Sequence, residues 1–292
     1  MNKMTRRAVI GSAAMVLALA ATSLPAAAET TLEKIKSEGK IVVGISDSEP
    51  DGFVDKDGNA AGLSPDLIRA AFKPLGVEKI DFVVSEFSAL ISSLQAGRFD
   101  AVAAGMWITP VRCKAVAFSD PDIITKDALL VLKGNPLNIH SYADIAANPN
   151  VRLGVDRGSA NIEHAEGAGV SRDRFVQFDA GTAVIAALIG GRVDAYPLAS
   201  SNVVALLEDP NLSGKIERAL PFTGYIGKNG IEVAGRSAIA FRLEDTDLRD
   251  AYNKRLAEMK ADGTVEAIKK KYGLNNIDTD TSVTAVQACS GE

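Results

Sequence analysis

Gly97-Arg98-Phe99-Asp100-Ala101 returns further along the chain as Gly191-Arg192-Val193-Asp194-Ala195. Each copy follows an apolar run with helical character, 87–95 in the first case and 182–189 in the second. Each Gly is placed to stop its helix, and the apolar residue after each Arg to enter a strand. Around the first copy, strands read over 40–45, 81–84 and 99–104, and a helix starts at Ser64-Pro65-Asp66, with Ser64 as N-cap and Pro65 at the first helical position. Around the second, strands read over 151–155, 175–178 and 193–196, with helices from Ser159 and over 182–189. Strand–helix alternation of this kind predicts an α/β fold with mainly parallel pairing. The same motif at the same place in both series predicts two lobes of similar topology.

A strand over 128–131 lies between the two series and another over 237–241 follows the second. Two helices, 245–260 and 264–272, then close the chain's ordered pattern. The expected course is therefore out of one lobe, through the second, and back. Two crossing strands would form a hinge over a central ligand cleft. The expected organisation is an export segment over 1–28, lobe 1 over 29–130 and 236–275, lobe 2 over 131–235, and a C-terminal tail over 276–292.

Composition fits a globular protein: 292 residues, 47% hydrophobic and 24% charged. Lys3, Arg6 and Arg7 precede an apolar stretch over 8–24, and Ala26-Ala27-Ala28 reads as a cleavage site, which predicts a signal peptide and a soluble, exported protein. Thr5-Arg6-Arg7 leaves both the general (Sec) and the twin-arginine (Tat) route open. Without that segment the chain keeps 29 basic residues against 37 acidic ones, a net charge of −8 that argues against nucleic acid or an anionic membrane as partner. Cys113 and Cys289 lie too far apart for a metal knuckle and are expected to pair in an oxidising compartment.

Catalytic signatures are missing. His140 and His164 are isolated and read as surface residues, and no Walker loop, G-x-G-x-x-G or G-x-S-x-G occurs. No cofactor or metal is expected.

The segment Ala104-Gly105-Met106-Trp107-Ile108-Thr109-Pro110-Val111-Arg112-Cys113, with Ala117-Phe118-Ser119-Asp120-Pro121 after it, resembles the signature of family 3 periplasmic solute-binding proteins, which feed ABC importers. The resemblance extends through Gly62-Leu63-Ser64-Pro65-Asp66, both Gly-Arg-x-Asp-Ala copies and Ala257-Glu258-Met259-Lys260-Ala261-Asp262-Gly263-Thr264. Within the family, Phe87-Ser88-Ala89-Leu90 and the segment around Trp107 look most like the ectoine/hydroxyectoine-binding branch. It implies a two-lobed periplasmic binding protein, expected as a monomer, that captures a small carboxylate-bearing solute, an ectoine-like zwitterion or an amino-acid derivative, by lobe closure and delivers it to an ABC permease in the inner membrane.

The resemblance also implies roles. Arg112 grips the ligand carboxylate, as a guanidinium fork is suited to do. Gly105 and Trp107 stand where amino-acid binders carry serines, and Trp107 and Phe87 become aromatic walls suited to a delocalised cation. Ser159 and Asn161, at a helix start, are placed to meet the ligand. Ala199 stands where amino-acid binders have the Asp that pairs the α-ammonium, which argues against a standard α-amino acid. Asp51 is the candidate replacement charge, and Phe53 is expected to pack. Two alternatives stay open: an enzyme on the same scaffold, such as a periplasmic dehydratase, and a sensory ligand-binding module.

Overall fold

The computed structural model describes residues 29–280 and 283–290, so the expected signal peptide and its export route lie outside the described residues. Lys40–Ile45 is the central strand of the first lobe, with Lys79–Val84 and Ala101–Trp107 parallel on either side. Leu153–Asp156 is central in the second, with Phe175–Phe178 and Ala195–Ala199 parallel on either side. In both lobes the first strand of the series is the middle one.

The strands that join the lobes are antiparallel, which corrects the expectation of mainly parallel pairing. Ile123–Leu132 and Ala234–Phe241 pair with each other through Lys126↔Ala234, Thr125↔Gly235 and Ile124↔Arg236. Beyond these pairs they diverge. Ala234–Phe241 runs on beside Ala101–Trp107, and Ile123–Leu132 beside Ala195–Ala199. Each crossing strand thus joins the sheet of one lobe after pairing at the hinge, and a short strand, Ala117–Phe118 in the first lobe and Ile216–Arg218 in the second, pairs on its other side.

The repeated motif does the same work twice. Gly97 and Gly191 have φ of 68° and 67°, so each ends its helix in the left-handed conformation that glycine adopts without strain. The Asp100 N–H donates to the Val42 carbonyl at 2.7 Å, and its Oδ2 accepts from the Val42 N–H at 3.0 Å. Asp194 makes the same two bonds with Arg152, both at 2.8 Å. Each aspartate clamps the start of its lobe's central strand. The flanking strands consequently begin at Ala101 and Ala195, two residues later than expected, with Phe99 and Val193 buried beneath.

The helix Leu63–Phe72 starts earlier than Ser64 suggested, with Gly62 at its N-cap. The Leu63 and Ser64 N–H groups donate to the carbonyls of Pro50 and Asp51 at 2.9 Å, so loop backbone satisfies the first turn and no side-chain cap is needed. Ser64 Oγ instead accepts from the Gly105 N–H.

Apolar side chains cover both faces of each lobe's sheet. In the first, Val43, Leu67, Phe72 and Tyr252 gather on one side, and Leu90, Phe99, Met106 and Phe118 on the other. In the second, Leu129, Tyr142 and Val155 oppose Leu130, Val184 and Leu188.

Cys113 and Cys289 form a disulfide across 176 positions, with Cα atoms 5.9 Å apart. It holds the helix Ala285–Ser290, whose Ala285 and Ala288 pack on the Leu90–Met106 cluster. Loop-closure entropy sets about 5 kcal/mol as the upper limit of its stabilisation. Cys289→Ser should lower the unfolding midpoint, and thiol titration of denatured, unreduced protein should find no free thiol. Two titratable thiols would disprove the pairing.

Candidate functional site

A cavity of about 600 Å³ lies between the lobes. The first lobe lines it with Ser46, Asp51, Phe87, Gly105, Trp107 and Arg112, the second with Asp156, Ser159, Asn161, Tyr196, Ala199 and Asn202. All seven binding residues expected from the sequence are brought to this one space. Trp107, Asp156 and Ala199 are the last residues of their strands, and Ser46 follows directly on another. Open α/β sheets offer ligands a site at these carboxyl ends.

Arg112 is 8% exposed. Its Nη1 donates to the Trp107 carbonyl at 2.7 Å, and its Nη2 reaches across to the Gly158 carbonyl of the second lobe at 2.8 Å. Three of its five N–H donors remain unengaged among the described residues. Burial pulls the guanidinium down to about 10, and Glu163 partly offsets this. It stays charged at neutral pH, buried and with charge-assisted donors to spare.

The aromatic rings have protein partners. The Arg112 guanidinium carbon lies 5.4 Å from the centre of the Phe87 ring. Trp107 is only 6% exposed and packs against Ala160 and Ala199. Its indole also lies 5.6 Å, centre to centre, from the His164 ring. On the hinge side it covers Gly235, where an added Cβ would fall 2.0 Å from the indole. The indole therefore occupies space beside residue 199 that a larger side chain would need. Phe53 does not line the cavity and packs edge-on against Tyr272, as expected.

Asp51 is buried, and its Oδ2 accepts from Asn202 Nδ2 of the second lobe at 2.9 Å. The same amide donates to the Glu49 carbonyl, giving a second bond across the cleft. The Asp51 carboxylate lies against Gly105, where a Cβ would come within 2.4 Å of Asp51 Cγ. Gly105 is thus the glycine that makes room for Asp51. Burial pushes the Asp51 carboxyl up to about 6, against the opposing hydrogen bond from Asn202.

Ser159 precedes the helix Ala160–Gly167 but does not cap it; its buried Oγ has no hydrogen-bond partner among the described residues, and Ser46 Oγ is in the same state. Asn161 lines the cavity, yet its Nδ2 donates to Asp127 Oδ1 on the crossing strand at 2.6 Å. Asp127 also takes the Tyr142 hydroxyl and lies 2.7 Å from His164 Nδ1. His164 is therefore not the surface residue the sequence suggested. It is largely buried between the crossing strand and Trp107, and nothing local in its helix signals a partner 37 positions away. Sequence reading also missed Asp156, Tyr196 and Asn202. The Tyr196 hydroxyl donates to Asp156 Oδ2 at 2.5 Å, and burial raises the Asp156 carboxyl.

No group of described residues has the make-up of a metal site, and no described helix is long and apolar enough to cross a membrane. The family model of bacterial extracellular solute-binding proteins, family 3, matches residues 41–275. A probable amino-acid ABC transporter periplasmic-binding protein of Sinorhizobium fredii is 34% identical over 90% of this chain and 86% of its own length. The histidine-binding periplasmic protein of Salmonella typhimurium is 30% identical over 74% of this chain and 80% of its own. Among solved structures, EhuB in complex with hydroxyectoine is 35% identical, with a TM-score of 0.79 over 90% of this chain and 99% of that one. The ancestral amino acid-binding protein AncCDT-1, a precursor of cyclohexadienyl dehydratase, is 29% identical with a TM-score of 0.71, over 83% of this chain and 99% of that one. With the family match spanning both lobes and the crossing strands, this chain belongs to the bacterial extracellular solute-binding proteins, family 3.

Proposed function

We propose that this protein is the substrate-binding component of an ABC importer, working in the periplasm as a monomer, and that its solute carries one carboxylate and one cation in the manner of ectoine. The observation that carries the reading is Arg112: a buried guanidinium lining the cavity, with donors left over after it has bonded to both lobes. A carboxylate meets that need with two parallel charge-assisted hydrogen bonds. The free hydroxyls of Ser46 and Ser159 add neutral donors. Ala199, covered by Trp107, offers no charge to an α-ammonium, so the cation's counter-charge falls to the carboxylates that line the cavity, Asp51 on the first lobe among them. The likeness to EhuB supports a zwitterion of the hydroxyectoine type.

A dehydratase reading has one feature in its favour, the carboxyl of Asp51 raised into the range of a general acid. The relatives named above are binding proteins, and Asp51 is already engaged by Asn202. Water loss from a cyclic hydroxy acid on incubation with the protein would revive that reading.

In calorimetry against ectoine, glycine betaine, amino acids and simple carboxylates, binding should be confined to carboxylates and should weaken by about 2–5 kcal/mol in Arg112→Ala, the cost of orphaning a buried charged partner. Tight binding of glutamate with ectoine and betaine silent would refute this ligand class. The solute that binds should also reduce the radius of gyration in small-angle scattering; superimposable curves would count against closure around it.

Asp51 adds a pH signature. A folded value of about 6 against an ordinary 3.8 means that the folded protein holds this proton more tightly. The stabilisation from protonated Asp51 is complete below the ordinary value and lost as pH rises through 6. Asp51→Asn should therefore match the ligand-free parent near pH 4 and exceed it above pH 7 by up to roughly 3 kcal/mol. Denaturant melts at the two pH values measure this, and a gap that does not grow with pH would contradict it.

A further inference from the structure

The cavity's second-lobe wall carries an acidic group that the reading above leaves unused. Asp156 ends the central strand of that lobe and lines the cavity. One of its oxygens accepts the Tyr196 hydroxyl, while the other accepts no hydrogen bond among the described residues. Tyr196 is 2% exposed, and burial raises its phenol well above the usual range, so the hydroxyl keeps its proton and remains a donor. Gly181, at the start of the helix Gly181–Ile189, also lines the cavity and leaves the pair uncovered: a Cβ there would fall 3.0 Å from the Tyr196 hydroxyl and 3.7 Å from Asp156 Oδ1. No described Lys or Arg pairs with Asp156, and the charge felt by Arg112 is that of Glu163. The carboxylate is thus held in one orientation with one oxygen free among the described residues, on the wall of a cavity whose polar groups include the 5%-exposed Ser46, its hydroxyl likewise without a described partner.

The aromatic surfaces bear on what that oxygen receives. A quaternary ammonium has no N–H and is recognised by open aromatic faces. Here Phe87 faces Arg112, and Trp107 is covered by Ala160, Ala199 and His164. A cation with N–H groups would satisfy the free oxygen with a charge-assisted bond, whereas a methylated one would leave a buried acceptor unpaired.

We propose that Asp156, oriented by Tyr196, is the acceptor for the cationic end of the solute, and that the solutes of this protein join a carboxylate to an N–H-bearing delocalised cation, an amidinium or guanidinium, rather than to a quaternary ammonium. The inference rests on the reading of Arg112 as carboxylate anchor. Two probes of similar length separate the cases: 4-guanidinobutyrate and γ-butyrobetaine share the carboxylate and differ in whether the cation has N–H groups. By calorimetry, with ectoine as a third probe, 4-guanidinobutyrate and ectoine should bind at least tenfold tighter than γ-butyrobetaine. Asp156→Asn should bring the three within about threefold of one another. Tyr196→Phe, which keeps the carboxylate and deletes only its protein donor, should preserve the preference. A purely structural Asp156–Tyr196 pair would make the two variants behave alike and would overturn the proposal. So would Arg112-dependent binding of 4-guanidinobutyrate or ectoine that Asp156→Asn leaves unchanged, and that result would spare the carboxylate reading. Binding by none of the probes, nor by any carboxylate of the wider panel, would overturn both.

Discussion

A buried guanidinium must be surrounded by acceptors, and Arg112 finds them on both lobes at once. One nitrogen is committed to the Trp107 carbonyl and another to Gly158 across the cleft. Both acceptors are neutral dipoles rather than carboxylates, so the positive charge is solvated without being cancelled. Asp51 on one lobe and Asp156 on the other line the same cavity.

The hinge explains why these groups meet. Parallel strands in each lobe send their carboxyl ends toward the other lobe, and two antiparallel strands tie the lobes edge to edge. Asn202 bonding to Asp51 and the Glu49 carbonyl adds polar contacts that exist only when the lobes face each other. Hydrogen bonds of this kind contribute modestly to net stability, about 1 kcal/mol each.

Most of the architecture was legible because it repeats. Gly97 and Gly191 stop helices, Asp100 and Asp194 clamp strands, and a motif seen twice is read with more assurance than once. What the local pattern could not carry was supplied by distant residues. Ser64 looked like a cap, but the carbonyls of Pro50 and Asp51 had already met that need. His164 looked solvated, but Asp127 and Trp107 come from other elements. The cavity-lining residues from the motif around Arg112 could be named in advance, since chain proximity fixes them. Asp156, Tyr196 and Asn202 could not, because each acquires its meaning from a partner 40 or more positions away.

Gly235 lies on one crossing strand, paired with Thr125 on the other, and the indole of Trp107 rests directly on it. Trp107 is also the only tryptophan in the sequence. On its other side the ring contacts His164 and Ala199 of the second lobe, so it touches both lobes and the strand between them. The molecule therefore carries one tryptophan, selectively excited beside its tyrosines, at the place where the lobes join, and its emission is expected to respond when they move without an added label.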